Sequence, residues 1–184
     1  MDKAPVYITD IIGEVVAATE TALKAQSGSW LSQNNKSINY VYGSEMHVTQ
    51  TLLNIKNGGK YPMVALMMPT RTRRGNSDGY YGRVTLPYLY IATLSDNKGL
   101  PPAKYRDNFK PVLFPIYYEL LNQLPKHSAI VNEGGADAIE HDMLEYPADV
   151  TDKANTIFTD FLDIIAIVNL TVLVKQQLLR NCAK

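Results

Sequence analysis

The run Met63-Val-Ala-Leu-Met-Met68 constrains the fold most, because six consecutive apolar residues leave no face for solvent. A short apolar run that is closed by Pro69 is typical of a strand buried on both faces. A polar, arginine-bearing segment at 71–79 follows it, and then a second extended run reaches from Tyr80 to Thr93. The sequence therefore predicts two strands of a compact sheet, with residues 70–83 as a long exposed loop.

Helical spacing of apolar residues, together with turn residues, divides the remainder of the chain into helices and strands. The predicted helices cover 9–26, 44–55 and 108–124, and the other predicted strands cover 38–42, 128–131, 143–146 and 164–175. Thr9 or Asp10 is predicted to cap the first helix. Pro87 is predicted to mark an edge or a bulge in its strand. Alternation predicts one shared face in the last strand for Ile164, Ala166, Val168, Leu170, Val172 and Val174.

This order of elements predicts an α+β fold, in which a mixed and mostly antiparallel sheet has three helices packed on one side. A chain of 184 residues suits one domain, which we predict over 1–184. Within it we predict an N-terminal amphipathic helix and loop at 1–37, a core at 38–175 and a polar tail at 176–184.

Charge and cysteine content limit the classes of partner and site. Basic and acidic residues both number 18, so net charge gives no reason to expect nucleic acid or an anionic membrane as partner. The apolar run from Phe161 to Val174 is too short and too polar to span a bilayer. The single cysteine, Cys182, excludes an internal disulfide and a cysteine metal cluster. We predict no cofactor.

Glu140-His141-Asp142 is the one segment that suggests metal chemistry, because carboxylates and imidazole are common metal ligands. Adjacent residues of a strand point to opposite faces, which argues against all three meeting one ion. Glycine motifs for phosphate and the nucleophile motif of serine hydrolases are absent from the sequence. We therefore predict a protein that is not an enzyme, and a small metal-dependent hydrolase or nuclease stays open as the alternative.

Charge is distributed unevenly along the chain although the total is neutral. Arg71, Arg73, Arg74 and Arg83 fall within thirteen positions that contain one acidic residue, Asp78. Seven acidic residues fall within the twenty positions 133–152, which contain no lysine or arginine. Both segments are predicted to be irregular and exposed. The predicted contact residues are Arg71, Arg73, Arg74, Arg83, Tyr80, Tyr81, Glu133, Asp137, Glu140, Asp142 and Glu145.

Two unlike surfaces of this kind can join copies of one chain head to tail, and such a contact closes into a ring when it repeats with rotation. Two alternatives stay open. The segments can be solvated loops that share no partner, or the arginine segment can bind the phosphates of DNA.

Four segments resemble a family of virion proteins from tailed phages and prophages of gut Bacteroidota, crAss-like phages included. They are Lys60-Tyr-Pro-Met-Val, Gly79-Tyr-Tyr, Tyr105-Arg-Asp-Asn-Phe-Lys-Pro-Val-Leu-Phe-Pro-Ile-Tyr117 and Phe161-Leu-Asp-Ile-Ile-Ala-Ile-Val-Asn-Leu170. The resemblance covers residues 38–175, and the part from Phe109 to Tyr117 is its most specific piece. The order of elements is also similar to that of tail-completion and tail-terminator proteins.

The resemblance implies a small α/β subunit that forms a ring at the neck of the virion, between the portal side and the tail. It implies a structural role without catalytic residues. The implied partners are other copies of the chain in a six- or twelve-fold ring, other neck or tail proteins, and DNA that passes through the lumen, with no membrane. The implied location is the virion, after assembly in the host cytoplasm.

Overall fold

Six strands form one sheet with helices on both of its faces in the computed structural model, which describes residues 7–55, 59–74, 81–95, 101–131, 139–146 and 162–175. The strands are β1 (Asn39–Gly43), β2 (Met63–Met67), β3 (Arg71–Arg74), β4 (Tyr81–Leu94), β5 (Asp142–Tyr146) and β6 (Leu162–Lys175). The α-helices are α1 (Ile8–Ala25), α2 (Trp30–Gln33), α3 (Glu45–Asn54), α4 (Pro101–Lys104) and α5 (Phe114–Gln123).

The strands follow the order β1-β2-β4-β6-β5, and β3 pairs with β4 beyond the end of β2. β1 and β2 are parallel, whereas every other pair is antiparallel. The predicted α+β class with a mixed, mostly antiparallel sheet is confirmed. Residues 1–6 and 176–184 lie outside the described part, so the predicted tail is outside it too.

α1 is the amphipathic helix that the apolar spacing predicts. It buries Ile11, Ile12, Val15, Val16 and Leu23 in the main core. The predicted cap at Thr9 or Asp10 is wrong. The helix begins one residue earlier, and the carbonyl oxygen of Tyr7 accepts from the backbone N–H groups of Asp10 and Ile11, each at 3.0 Å. At the N-cap position, Tyr7 makes no capping hydrogen bond with its side chain.

Helices lie on both faces of the sheet, so the prediction of helices on one side is wrong. α1 and α5 cover the face that carries the main core, whereas Val48 of α3 packs with Met63 and Ala65 on the opposite face. The physical reason is the parallel pair of β1 and β2, which requires a crossover connection over one face. β2 is therefore buried on both faces, as its sequence predicts, but it ends at Met67 and Met68 is exposed.

A helical run begins at Pro101, earlier than the predicted start at 108. After α4 it continues as a π-helix over Tyr105–Leu113, then as α5, and it ends in a 3₁₀ turn over Leu124–Lys126. The sequence misleads here because two consecutive prolines, Pro101 and Pro102, are typical of a loop. The first turn of a helix nevertheless tolerates proline, and both lie in the first turn of α4. Pro111 lies inside the π-helix, where its missing N–H accompanies the departure from α-helical bonding.

In the long strands β4 and β6, the alternation of side chains between the two faces of the sheet shifts by one residue near the middle. Their register runs without a break from Tyr81–Lys175 to Leu86–Leu170 and resumes at Tyr88–Val168. Between these pairs lie Pro87 and Asn169, which has a left-handed φ of 56°. Pro87 thus lies in a central strand, which makes the edge prediction wrong. It interrupts the pairing, but one residue is skipped on each strand, whereas a bulge sets two residues against one, so the predicted bulge is not formed either.

The change of faces corrects the predicted alternation of β6. Leu170, Val172 and Val174 lie in the main core, whereas Ile164 packs against the smaller cluster on the opposite face. The six residues therefore do not share one face. The left-handed residue Asn169 shifts the alternation of β6 by one residue, so that the side chains after it face the opposite side. The pattern of apolar residues in the sequence does not reveal this shift.

The remaining strand predictions have mixed outcomes. The strands predicted at 143–146 and 164–175 are confirmed as β5 and β6. The strand predicted at 128–131 is reduced to one bridge between Ile130 and Val174, next to a 2.9 Å hydrogen bond from the Val131 N–H to the Leu173 carbonyl.

The left-handed position provides a first prediction. Asn169→Val is expected to lower the free energy of unfolding by about 1–2 kcal/mol, because a β-branched residue strongly disfavours positive φ. Urea denaturation measures the change. The control is Asn169→Gly, which accepts this backbone and is expected to stay near the parent stability. A valine variant as stable as the glycine variant would contradict the need for a left-handed residue here.

Candidate functional site

The predicted arginine loop is a β-hairpin arm, which corrects the prediction of an irregular segment. Arg71 to Arg74 form β3, which pairs antiparallel with the start of β4. Charged residues in a row are poor strand formers in isolation, and the pairing with β4 overrides that preference. The side chains of Arg74 and Tyr81, and residues 75–80 with Tyr80, lie outside the described part of the chain.

Three arginines of this hairpin share one face, and we name them the arginine ribbon: Arg71, Arg73 and Arg83. Arg73 lies directly opposite Arg83, and Arg71 follows two residues along on the same side. All three are exposed. Like charges in directly opposite positions repel each other. No acidic side chain in the described ranges forms an ion pair with any of the three. The ribbon therefore concentrates positive charge that this part of the chain does not neutralise.

Acidic residues lie at the other edge of the sheet. Asp142 begins β5, where it is exposed and lies opposite Val168 of β6. Glu140, also exposed, adjoins β6 through a 3.2 Å hydrogen bond from the Thr171 N–H to its carbonyl oxygen. We name Glu140 and Asp142 the acidic edge. Glu133 and Asp137 lie outside the described residues, so their predicted place in the contact stays a prediction.

Glu145 makes a hydrogen bond within the subunit, and its predicted place in the contact stays a prediction. It lies opposite Ile165, on the side of the main core, and it accepts a hydrogen bond from the Tyr105 hydroxyl. This hydrogen bond, together with burial, raises the pKa of Tyr105. Glu145 therefore anchors β5 to the π-helix and is not part of the acidic edge.

His141 makes a second anchor between β5 and the helices. Its Nδ1 lies 3.0 Å from the carbonyl oxygen of Ile139, and its Nε2 lies 2.7 Å from the Tyr117 hydroxyl. Because a carbonyl only accepts, Nδ1 donates in the neutral ring and Nε2 accepts from the hydroxyl. Burial raises the pKa of Tyr117.

Both ring nitrogens of His141 are thus occupied. The described residues contain no group of three histidine, cysteine, aspartate or glutamate side chains that could hold a metal ion. The hydrolase or nuclease alternative at residues 140–142 therefore gains no support from this geometry.

An aromatic and apolar surface, partly exposed, spans β4 and β5 on the face turned away from the main core. We name it the tyrosine face: Tyr88, Tyr90, Leu144 and Tyr146. Leu144 and Tyr146 are 44% and 49% exposed, and Tyr88 is 45% exposed. The rings of Tyr88 and Tyr90 are stacked, with centroids 5.7 Å apart. Burial, with the neighbouring phenols of Tyr88 and Tyr146, raises the pKa of Tyr90.

Among the described helices, only α3 packs on this face, over the β1 and β2 end. Large exposed apolar side chains that adjoin one another mark interaction surfaces in soluble domains. Sequence reasoning missed the tyrosine face. Its signal was the spacing of two residues between Tyr88 and Tyr90 and between Leu144 and Tyr146.

The two charged groups stand in one row across the sheet. Arg71 lies opposite Thr85 in the next strand. The hydroxyls of Thr85 and Thr171 are 3.2 Å apart, and the Thr171 N–H donates a hydrogen bond to the carbonyl oxygen of Glu140. Positive charge at one edge and negative charge at the other therefore belong to the same sheet.

No family model matches this chain, and no curated protein matches it. None of the described helices is long and apolar enough to cross a lipid bilayer.

Proposed function

We propose that the chain is a structural subunit of a connector or tail ring in the virion of a tailed bacteriophage. Its copies assemble head to tail into a closed ring between portal-side and tail proteins. The ring has six or twelve subunits, stands in the neck or tail, and surrounds passing DNA. The proposed role is non-enzymatic and needs no cofactor.

One observation carries the proposal: opposite edges of one sheet hold unlike charges, with Arg71 and Arg73 at one edge and Glu140 and Asp142 at the other. Two unlike surfaces on one subunit define a heterologous contact, and such contacts generate rings when the rotation closes. The resemblance of segments 60–64, 79–81, 105–117 and 161–170 to phage virion proteins is what favours this kind of ring and these partners. A tail-terminator-like subunit is part of the same proposal.

The test reverses the charge of the hairpin. Arg73→Glu combined with Arg74→Glu is expected to lower the subunit association constant by about tenfold or more, because it places acidic residues against an acidic neighbour. Size-exclusion chromatography with light scattering measures the mass, and circular dichroism checks that the monomer stays folded.

The matched control is Arg106→Glu with Lys110→Glu, which changes the net charge equally at exposed positions of the π-helix. This pair is expected to leave assembly unchanged. Rings of full mass from the Arg73/Arg74 variant, or an equal loss in the control, would count against the proposed contact.

A second candidate function is an adaptor that holds DNA through the arginine ribbon. The positive charge of the arginine ribbon favours this candidate, since arginine binds DNA phosphates whatever the base sequence. It predicts an affinity for duplex DNA that falls steeply with salt, and removal of one arginine would reduce the slope by about one. Weak binding with a flat salt dependence would remove this candidate.

A further inference from the structure

We infer that β3 of one copy pairs with β5 of the next copy, so that the sheet continues from subunit to subunit around the ring. This inference rests on the proposed self-assembly and adds the surfaces that meet, the direction of pairing and the partner, which is a second copy of this chain.

The first support is that both strands lie at edges. Among the described strands, β3 pairs only with β4, and β5 pairs only with β6. The outer N–H and C=O groups of such strands are a template for pairing with another chain. β3 has four residues and β5 has five, so one strand can cover the other.

The second support is direction. β3 is antiparallel to β4, β4 to β6, and β6 to β5. Across three such reversals, β3 and β5 run in opposite directions. A neighbour in the same orientation therefore brings its β5 antiparallel to β3, which makes the usual ladder of perpendicular hydrogen bonds.

The third support is charge on the shared face. A continuous sheet keeps its two faces aligned, so Arg71 and Arg73 meet the face on which β5 presents Asp142, Leu144 and Tyr146. Opposite charges in neighbouring strands stabilise a pair, and a guanidinium over a phenol ring adds a cation–π contact. The arginine ribbon and the tyrosine face thus complement each other in charge and in chemistry.

Other occupants of the acidic edge fit less well. β1 is also an outer strand, but Asn39 to Gly43 contain no charged residue to complement Asp142. Nucleic acid would be repelled by Asp142 and Glu140, and it would leave the outer backbone of β5 without partners. The edge that matches in direction and charge is β3.

The test exchanges charges between copies. Arg73→Asp alone places aspartate against Asp142 of the neighbour, and Asp142→Arg alone places arginine against Arg73. Each variant is expected to lower the association constant by about tenfold or more at low salt. A one-to-one mixture of the two variants is expected to restore rings, because every contact then joins an aspartate to an arginine. Six and twelve are even numbers, so the two variants alternate around the ring.

The double variant Arg73→Asp with Asp142→Arg on one chain is expected to assemble too. The control combines Arg73→Asp with Glu45→Arg, an exposed acidic residue at the start of α3, and is expected to stay unassembled. Mass photometry at several salt concentrations measures each species.

The outcomes separate this inference from the ring itself. If the parent protein forms rings but the mixture does not, the β3–β5 pairing is overturned and the ring proposal survives. Rescue by the Glu45 control would likewise overturn the pairing, because it would show a general charge effect. If the parent protein forms no ring under any condition, the proposed function fails. If Asp142→Arg strengthens DNA binding without restoring rings in the mixture, the arginines serve nucleic acid and the pairing is overturned.

Discussion

Phe109→Ala is expected to lower the free energy of unfolding by about 3–5 kcal/mol, a large share of the stability of a domain of this size. The side chain is fully buried, and its ring stacks on Tyr105 with centroids 4.6 Å apart. The ring of Phe114 also lies near it, with centroids 5.9 Å apart. Truncation removes both aromatic contacts and leaves a cavity beneath the π-helix, where backbone hydrogen bonds already deviate from the α pattern.

Urea denaturation followed by tryptophan fluorescence and circular dichroism measures this change. Tyr118→Ala is the matched control, since it removes an aromatic ring from the same helical run at a position that is 59% exposed. Its expected cost is about 1 kcal/mol or less. Equal costs for the two variants would mean that residue 109 is not buried as the structure places it.

Local patterns were sufficient to predict α1 and β2, and the extent of β6 but not its faces. The apolar spacing of Ile11, Val15 and other residues of α1 lies within single turns, and β2 needs only an unbroken apolar run. Both patterns involve residues that are close in sequence, so they can be recognised without knowing the rest of the fold. Such segments also specify the class, because a mixed sheet with helices follows from their order.

Features that depend on distant partners were missed. Pro87 and Asn169 lie 82 positions apart in the sequence, yet they meet in adjacent strands and shift the period of both. Likewise, the placement of α3 on the second face follows from the parallel pairing of β1 with β2, which no local pattern states. Tertiary pairing overrides local alternation at both points.

The charged residues of the candidate site were predicted from the sequence, but their arrangement on the strands was not. Uneven charge along the chain identified Arg71, Arg73 and Asp142, because charge is visible in sequence. The pairing of β3 with β4 and the anchoring of Glu145 by Tyr105 required the folded chain. The exposure of the tyrosine face depends on which face the helices leave uncovered, and that is a property of topology.

Gly43→Ala is expected to lower the free energy of unfolding by about 1–3 kcal/mol from backbone strain, with a steric clash in addition. Gly43 ends β1 with a φ of 144°, a conformation that side chains rarely adopt. A Cβ built on it would lie 2.8 Å from Cδ2 of His47 in α3. Because α3 covers β2 through Val48, the strain is transmitted to the smaller core.

Two further variants separate strain from clash. Gly28→Ala is the control glycine, because a Cβ there meets nothing within 4 Å, and it is expected to be near neutral. Adding His47→Ala to Gly43→Ala removes the closest contact but leaves the backbone strain, so it is expected to recover only part of the loss. If the double variant regained the full parent stability, the loss in Gly43→Ala would come from the clash with His47 alone and not from the backbone conformation. No loss in Gly43→Ala itself would mean that the β1–α3 junction adopts another backbone conformation, and α3 would then not need glycine to reach the second face.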